Sequence, residues 1–388
     1  MLLLLGIKMA KSEEKRAGVS IKVVGIGGGG CNAVERMLES GIESVEFIAI
    51  NTDSQALDRS HAQTRIQIGP TLTKGLGSGG DPEKGRAATE ESKNEVRKAL
   101  DGADMVFIAA GLGGGTGTGG APLVAEIARE LGALSVAVVT KPFQFEGSRR
   151  VRLAEEGLKG LMGRVDTVIA IPNDRIREVV EMKTTMSEAF RKVNEVLHHG
   201  VQGLVEIITK AGTMNVDFED VKTIMSNAGP ALMGIGYGVG QERAIQAAES
   251  AVRNKLVDVD IQGAKGVLVN IACSEDLTLN EFNEAMTYIR SLCDPEDANI
   301  ITGYAIDPDL EGTIRITLLA TGFDPSSHHQ RISADTAFAV VDKNDEAVPT
   351  MKERITVGAN RDQVTPTVVD DADFEIPAFI RENKPRQV

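Results

Sequence analysis

The chain has no tryptophan, and aromatic residues fill only 4% of its 388 positions. Single-stranded nucleic acid is gripped by stacking rings and phosphate backbones by a basic surface. Basic charge is scarce as well: 42 Lys and Arg stand against 56 Asp and Glu, a formal net charge of -14. A nucleic-acid partner is therefore excluded. The three cysteines, Cys31, Cys273 and Cys293, lie far apart and never as Cys-x-x-Cys, which indicates neither a disulfide framework nor a zinc site. A reducing, cytoplasmic setting is expected. No His-Glu-x-x-His pattern occurs among the five histidines, so no metal site built from protein side chains is expected. The apolar run Leu2 to Leu5 is too short for a signal-peptide core, and no stretch approaches the roughly 18 apolar residues of a membrane span. Direct membrane insertion is not expected.

Glycine is present in excess, with 41 copies that are clustered rather than spread. Around the clusters the text alternates between strand and helix. IKVVGIG, VEFIAIN, DMVFIAAG, LSVAVVT and DTVIAIPN are short runs apolar on both faces, separated by helical stretches such as Asn32 to Ser40 and APLVAEIARELG. Strands of this kind imply a parallel sheet covered on both sides. Phe190, Val193, Leu197, Val201, Leu204 and Ile208 recur three or four apart, which predicts one long helix from Thr184 to Lys210. After Gly212 the Gly-rich stretch MGIGYGVG precedes VLVNIAC, LNEFNEAMTYIRSLC, ANIITGYAID and TIRITLLATG, read as a smaller mixed sheet with its own helices.

The expected fold is α/β, with a parallel-sheet nucleotide-binding domain joined by a long central helix to a smaller mixed-sheet domain and a disordered C-terminal tail. The segments are 1–18, a polar extension; 19–183, the nucleotide domain; 184–212, the central helix; 213–322, the second domain; 323–372, a linker; and 373–388, a terminal peptide. In the last, FEIPAFIR is a dense apolar patch closing a polar tail. It suits either a peptide ligand for another protein or a tail docking on its own domain.

The first strand runs into Gly25-Ile26-Gly27-Gly28-Gly29-Gly30 and then a helix, and Asp53 follows at the spacing of a ribose-binding acid. This matches Gly-x-Gly-x-x-Gly, in which glycines let a phosphate approach the backbone and the helix N-terminus supplies amides. Taken alone it suits a nicotinamide dehydrogenase or merely a tight turn. A second cluster, Gly111 to Gly120, also lies between a strand and a helix. Two amide-rich loops at the carboxyl ends of neighbouring strands point to one polyphosphate. One loop suits two phosphates; two suit three. Gly-Lys occurs nowhere in the chain, so the P-loop pattern is absent. Amides, the Thr116 and Thr118 hydroxyls and a Mg²⁺ carried mainly by phosphate oxygens and water must then meet the charge.

GIGGGGCNA, FIAINTDSQAL, GLGGGTGTGGAP, FQFEGSRR, IPND and MNVDFEDVKTIM, in that order across Ile21 to Gly322, resemble the bacterial cell-division GTPases of the tubulin/FtsZ superfamily. EIPAFIR resembles that family's C-terminal peptide. The resemblance implies a GTP/GDP site with Gly28, Gly29, Gly30, Cys31 and Asn32 in the first phosphate loop and Gly115, Thr116 and Gly117 in the signature loop. It implies that Gly77 to Gly80, including Gly79 and Gly80, sense the third phosphate, and that Glu146 and Arg150 touch the sugar. By spacing alone those two make a four-apart helix salt bridge. Asn173, Phe190 and Asn194 fall at the guanine site, where many relatives carry Asp in place of Asn194. Asn215, Asp217 and Asp220 begin a helix, and their local reading is an N-cap with acids in the first turn. The resemblance implies that they enter the next subunit's site and act in trans. It further implies head-to-tail filaments in a division ring at mid-cell, with Ile376, Pro377, Phe379, Ile380 and Arg381 captured by membrane-tethering adaptors.

Overall fold

The computed structural model describes residues 18–178, 180, 183–209, 214, 216–253, 261 and 263–322, all within the first of the chain's two units, Met1–Thr336. Asn215, the terminal segments 323–372 and 373–388 with their five adaptor residues, and the N-terminal extension up to residue 17 lie outside the described residues.

Strands β1 (Ile21–Ile26), β2 (Val45–Asn51), β3 (Thr64–Gln67), β4 (Met105–Gly111), β5 (Leu134–Lys141) and β6 (Thr167–Pro172) run parallel. Apart from β3, these are the Val/Ile/Ala runs expected from the sequence. They are joined by β7 (Gly229–Val239), β8 (Gly266–Cys273), β9 (Asn299–Ile306) and β10 (Thr313–Thr321). The order across the sheet is β3-β2-β1-β4-β5-β6-β7-β10-β8-β9. The second half is mixed as expected, with β10 antiparallel to β7 and β8, and β9 parallel to β8. It is not a separate sheet, because β6 and β7 pair from Thr167↔Gly229 to Ile169↔Ala231.

Helices α1 (Gly27–Glu39), α2 (Ser54–Asp58), α3 (Pro70–Thr73), α4 (Pro82–Glu91), α5 (Lys93–Leu100), α6 (Thr116–Glu130) and α7 (Ser148–Leu161) accompany the parallel strands. The long α8 (Met186–Thr209) follows, then α9 (Phe218–Met225), α10 (Arg243–Val252) and α11 (Leu279–Arg290). Side chains alternate across the sheet. Val23, Phe47, Phe107 and Val136 pack with Met37 of α1 and Leu197 and Val201 of α8, whereas Val24, Ile48, Ile108 and Ala137 pack with Val124 and Ile127 of α6. That alternation is why each strand is apolar on both faces.

Two glycines let α8 lie close to both halves. A Cβ on Gly200 would stand 3.4 Å from Val138 of β5 and 3.8 Å from Met233 of β7, and one on Gly203 would stand 2.7 Å from Thr317 of β10. Polar contacts fix the helix on each side: Ser40 Oγ with His198 Nε2 at 2.7 Å, and Arg315 donating to Glu206 at 2.8 Å. The Gly-rich stretch MGIGYGVG forms the body of β7. Cβ atoms on Gly234, Gly236 and Gly238 would fall within 2.0 Å of the carbonyl oxygens of Ala251, Ala247 and Arg243, so the alternating glycines admit the α10 backbone directly onto the strand.

Candidate functional site

Strand order 3-2-1-4-5-6 reverses direction between β1 and β4, and ligands of open α/β sheets bind outside the carboxyl ends of the strands at such a point. Both glycine clusters lie there. The first does not form a loop before a helix at Asn32; it forms the first turn of α1, which opens at Gly27 with a φ of 69°. The second likewise runs into α6, which opens at Thr116. Neither helix has a side-chain cap at its N-terminus. First-turn amides have no intrahelical acceptor, so two helix ends with partial positive charge converge with no side-chain cap among the described residues.

The convergence is close. A Cβ on Gly27 would stand 2.9 Å from the amide of Gly117, one on Gly29 3.2 Å from Gly111, and one on Gly30 2.2 Å from the carbonyl of Ala109. A Cβ at Gly28, Gly77, Gly79, Gly80 or Gly114 would meet nothing within 4 Å. Packing therefore demands Gly27 and Gly30 and leaves little room at Gly29, whereas Gly28 and Gly114 border open space. Gly77, Gly79 and Gly80 have positive φ, so that loop is built from left-handed residues.

Hydroxyls join the turn after β2, the loop of Gly77 to Gly80 and the start of α6. Thr116 Oγ1 lies 2.7 Å from Thr52 Oγ1 and 3.0 Å from Ser78 Oγ, and Thr118 Oγ1 accepts the amide of Gly113 at 2.9 Å. These two threonine hydroxyls thus hold the signature loop together, and the groups it presents are mainly amides. The sequence reading passed over Thr52, Ser78 and Gly85. Gly85, isolated in a helical pattern, was a readable signal: a Cβ there would stand 2.3 Å from the carbonyl of Gly115.

Cys31 and Asn32 continue α1. The Cys31 thiol is buried in the core with Gly25 and Ile50 carbonyls 3.7 Å away, and burial pushes its pKa up to about 12. It stays a neutral thiol, and what it can offer a phosphate is its backbone amide. Asp53 accepts the amides of Gln55 and Ala56 at the start of α2, so its carboxylate serves as an N-cap.

Around the rim, Arg150 donates to Glu146 at 2.6 Å, the four-apart pair that spacing suggested, while Glu146 also accepts the amide of Phe143 at 2.9 Å. The Arg150 carbonyl would lie 2.8 Å from a Cβ on Gly113, which sets this pair beside the signature loop. Phe143 stacks on Phe145 at 4.8 Å and meets Phe190 edge-on at 5.4 Å. Phe143, Ile176 and Val193 form a small core joining that turn, the segment after β6 and the start of α8. Phe190 remains 42% exposed and Asn194 follows one turn later. Asn173, at the carboxyl end of β6, is buried, and its Oδ1 has no hydrogen-bond donor. Among the described residues this acceptor lacks a donor, which is costly when buried and calls for a ligand or water to complete it. Open amide-rich turns, an exposed ring and an orphaned acceptor together fit a purine nucleotide with several phosphates.

Asp217 and Asp220 lie elsewhere. Asp217 caps α9 by accepting the amide of Asp220 at 2.8 Å, as its spacing indicated. The end of α9 is tied to the amino edge of the parallel sheet, where Thr167 Oγ1 donates to the Met225 carbonyl at 2.6 Å and the Asn227 amide to Asp166 at 3.3 Å. The glycine turns sit at the carboxyl edge. Phe190 lies near the start of α8 and the acids follow its other end, so the 24 residues of that helix, about 36 Å, stand between them in the chain.

The chain matches the GTPase domain of the Tubulin/FtsZ family over residues 20–181 and the C-terminal domain of the FtsZ family over residues 229–324. A solved FtsZ dimer from M. jannaschii, in its empty form, is 48% identical, with 79% of this chain and 89% of that chain covered and a TM-score of 0.75. A mutant of the M. jannaschii protein gives the same identity and TM-score, with 91% of its chain covered. A GTPγS-bound protofilament of CetZ2 from Haloferax volcanii shares the fold at 24% identity, with 82% and 99% covered and a TM-score of 0.66. Sequence motifs, sheet order and these likenesses agree: the chain belongs to the tubulin/FtsZ family of GTPases.

Proposed function

We propose that this GTPase assembles head to tail into filaments and hydrolyses GTP where two copies meet. The glycine turns, Glu146, Arg150, Asn173, Phe190 and Asn194 of one subunit hold the nucleotide, and Asn215, Asp217 and Asp220 of the next act on it. The observation that carries this reading is that Phe190 lies near the start of α8 while the acid-bearing α9 follows its other end, with a helix of about 36 Å between them in the chain. Such a contact is heterologous and generates an open filament. Self-association is seen in the M. jannaschii FtsZ dimer and the H. volcanii CetZ2 protofilament, which supports assembly of this chain.

Segments 19–183, 184–212 and 213–322 serve as nucleotide domain, connecting helix and acid-bearing domain. Asp217 and Asp220 polarise the attacking water and Asn215 orients the phosphate end, a contribution of placement and charge rather than covalent chemistry. Among the described residues no three His, Cys, Asp or Glu side chains converge on a cation; a Mg²⁺ entering with the nucleotide would shield its phosphate charge, held mainly by phosphate oxygens and water. Among the described residues no helix is long and apolar enough to cross a membrane. Capture of Ile376 to Arg381 by membrane-tethering adaptors would place cytoplasmic filaments at the mid-cell division ring, with avidity from many tails. The likenesses to FtsZ of M. jannaschii support the family role without restricting it to bacteria.

The test is Asp220→Ala. GTP binding and sedimentable polymer should persist while turnover falls at least tenfold. Loss of nucleotide binding in the variant would instead place Asp220 at its own nucleotide and overturn the reading.

A further inference from the structure

We propose that Gly303 and the amide of Tyr304, on the edge strand β9, are positioning residues for the acids Asp217 and Asp220. The inference deepens the function proposed above and rests on it. The segment leading into α9 is seated on the sheet. The carbonyl of Met214 accepts the Tyr304 amide at 3.1 Å, and the two residues form an antiparallel bridge. β9 is the last strand in the sheet order, so this bridge covers part of an otherwise open edge.

Two residues on, Val216 is buried and occupies the room that Gly303 leaves. A Cβ on Gly303 would stand 3.2 Å from Val216 Cγ2, 3.4 Å from Asn270 Oδ1 and 3.7 Å from the Met214 carbonyl. Gly303 is not among the positive-φ glycines, so the backbone does not require glycine there. What the missing side chain supplies is space. The seat is itself fixed: Asn270↔Gly303 and Ile271↔Tyr304 are consecutive pairs of the β8–β9 ladder, and the Tyr304 hydroxyl donates to the Ser274 carbonyl at 3.2 Å. Asp217 follows Val216 directly and caps α9. The contact between Gly303 and Val216 therefore sets where the acid-bearing turn begins, one residue from Asp217.

Hydrolysis by placement is sensitive to shifts of this size, since a misplacement of about 1 Å can cost on the order of a hundredfold in rate. Gly303→Ala forces Val216 outward by a few tenths of an ångström, and Gly303→Ser by at least as much. The chain's own nucleotide cradle lies at the ends of β1 and β4, with five strands between β4 and β9, and is untouched.

The experiment measures GTP turnover per subunit, nucleotide affinity, sedimentable polymer and melting temperature for the full chain and for Gly303→Ala, Gly303→Ser, Val216→Ala and the double variant Gly303→Ala/Val216→Ala. Turnover should fall at least fivefold in both Gly303 variants, with nucleotide affinity and polymer within twofold of the parent. Against a Val216→Ala background, where the methyl in the way is gone, Gly303→Ala should change turnover less than twofold. Parent-level turnover in both Gly303 variants would overturn the inference. So would a loss that Val216→Ala does not relieve, or one matched by an equal loss of polymer. If a single Gly303 variant fails to fold, the double variant decides: a folded protein whose turnover is well below that of Val216→Ala alone contradicts the inference. Asp220→Ala assayed alongside separates the two failures. Full turnover there removes the trans-acting acids altogether, whereas its collapse beside unaffected Gly303 variants removes only the seat.

Discussion

Asn173 concentrates the recognition problem in one atom. Its Oδ1 is buried without a donor, a state that costs about 1 to 3 kcal/mol and that the N–H edge of guanine would relieve. Asn173→Ala should weaken GTP and GDP binding at least tenfold, read by competition with a fluorescent nucleotide, while the melting temperature of the nucleotide-free protein stays level or rises. Unchanged affinity would show that the base is read elsewhere. The glycines divide in a way the sequence could not announce. Gly28 and Gly30 look alike in the motif, yet a Cβ at Gly28 meets open space and one at Gly30 sits 2.2 Å from the Ala109 carbonyl. Gly30→Ala should destabilise the fold by about 1 to 3 kcal/mol in chemical denaturation, whereas Gly28→Ala should leave it within about 0.5 kcal/mol. The difference depends on β4, which is distant in the chain, so no local pattern carries it.

Among the elements, the strands were the most legible, because alternation of two apolar faces is a property of each strand alone. The runs VEFIAIN and TIRITLLATG match β2 and β10 to within a residue. The helix starts were less so. Glycine reads as a helix breaker, yet here it fills the first turns of α1 and α6 because tertiary contacts require a bare backbone there. β7 was hidden for the same reason, since its glycines are explained only by α10 lying against them. The central helix carries a pH response. His198 is buried beside His199, Glu195 and Glu206, and burial, with the neighbouring His199 adding to it, lowers its pKa to about 4. The unfolded chain takes up a proton near pH 6.5 that the folded chain refuses until about 4, so stability is lost as pH falls through that window, by up to roughly 3 kcal/mol. His198→Gln, which keeps a donor toward Ser40, should flatten the drop in melting temperature between pH 6.5 and 4.5. An equal drop in the variant would assign it to other groups. Glu281 works below that window. Arg243, donating to it at 2.6 Å, holds its pKa at about 2, so its contribution is present above pH 4.5 and lost only on further acidification.

At the scale of the whole molecule, the proposed function gives one chain two incomplete sites, joined by a helix of about 36 Å that touches both halves. The nucleotide half was legible because glycine clusters between strands and helices have a direct chemical meaning. The acid half was not, because Asp217 is also an ordinary N-cap and nothing in its spacing says what lies opposite it. Complementation tests the shared site most directly. Gly28→Asp places a carboxylate in the open space of the phosphate cradle and leaves the acids intact; Asp220→Ala does the reverse. Each variant alone should turn over GTP at least tenfold more slowly than the parent. Mixed in equal amounts, they should recover a substantial fraction of the parent rate, because the cradle of one meets the acids of the other. A mixture no more active than its components, or an Asp220→Ala protein active by itself, would contradict hydrolysis between neighbours.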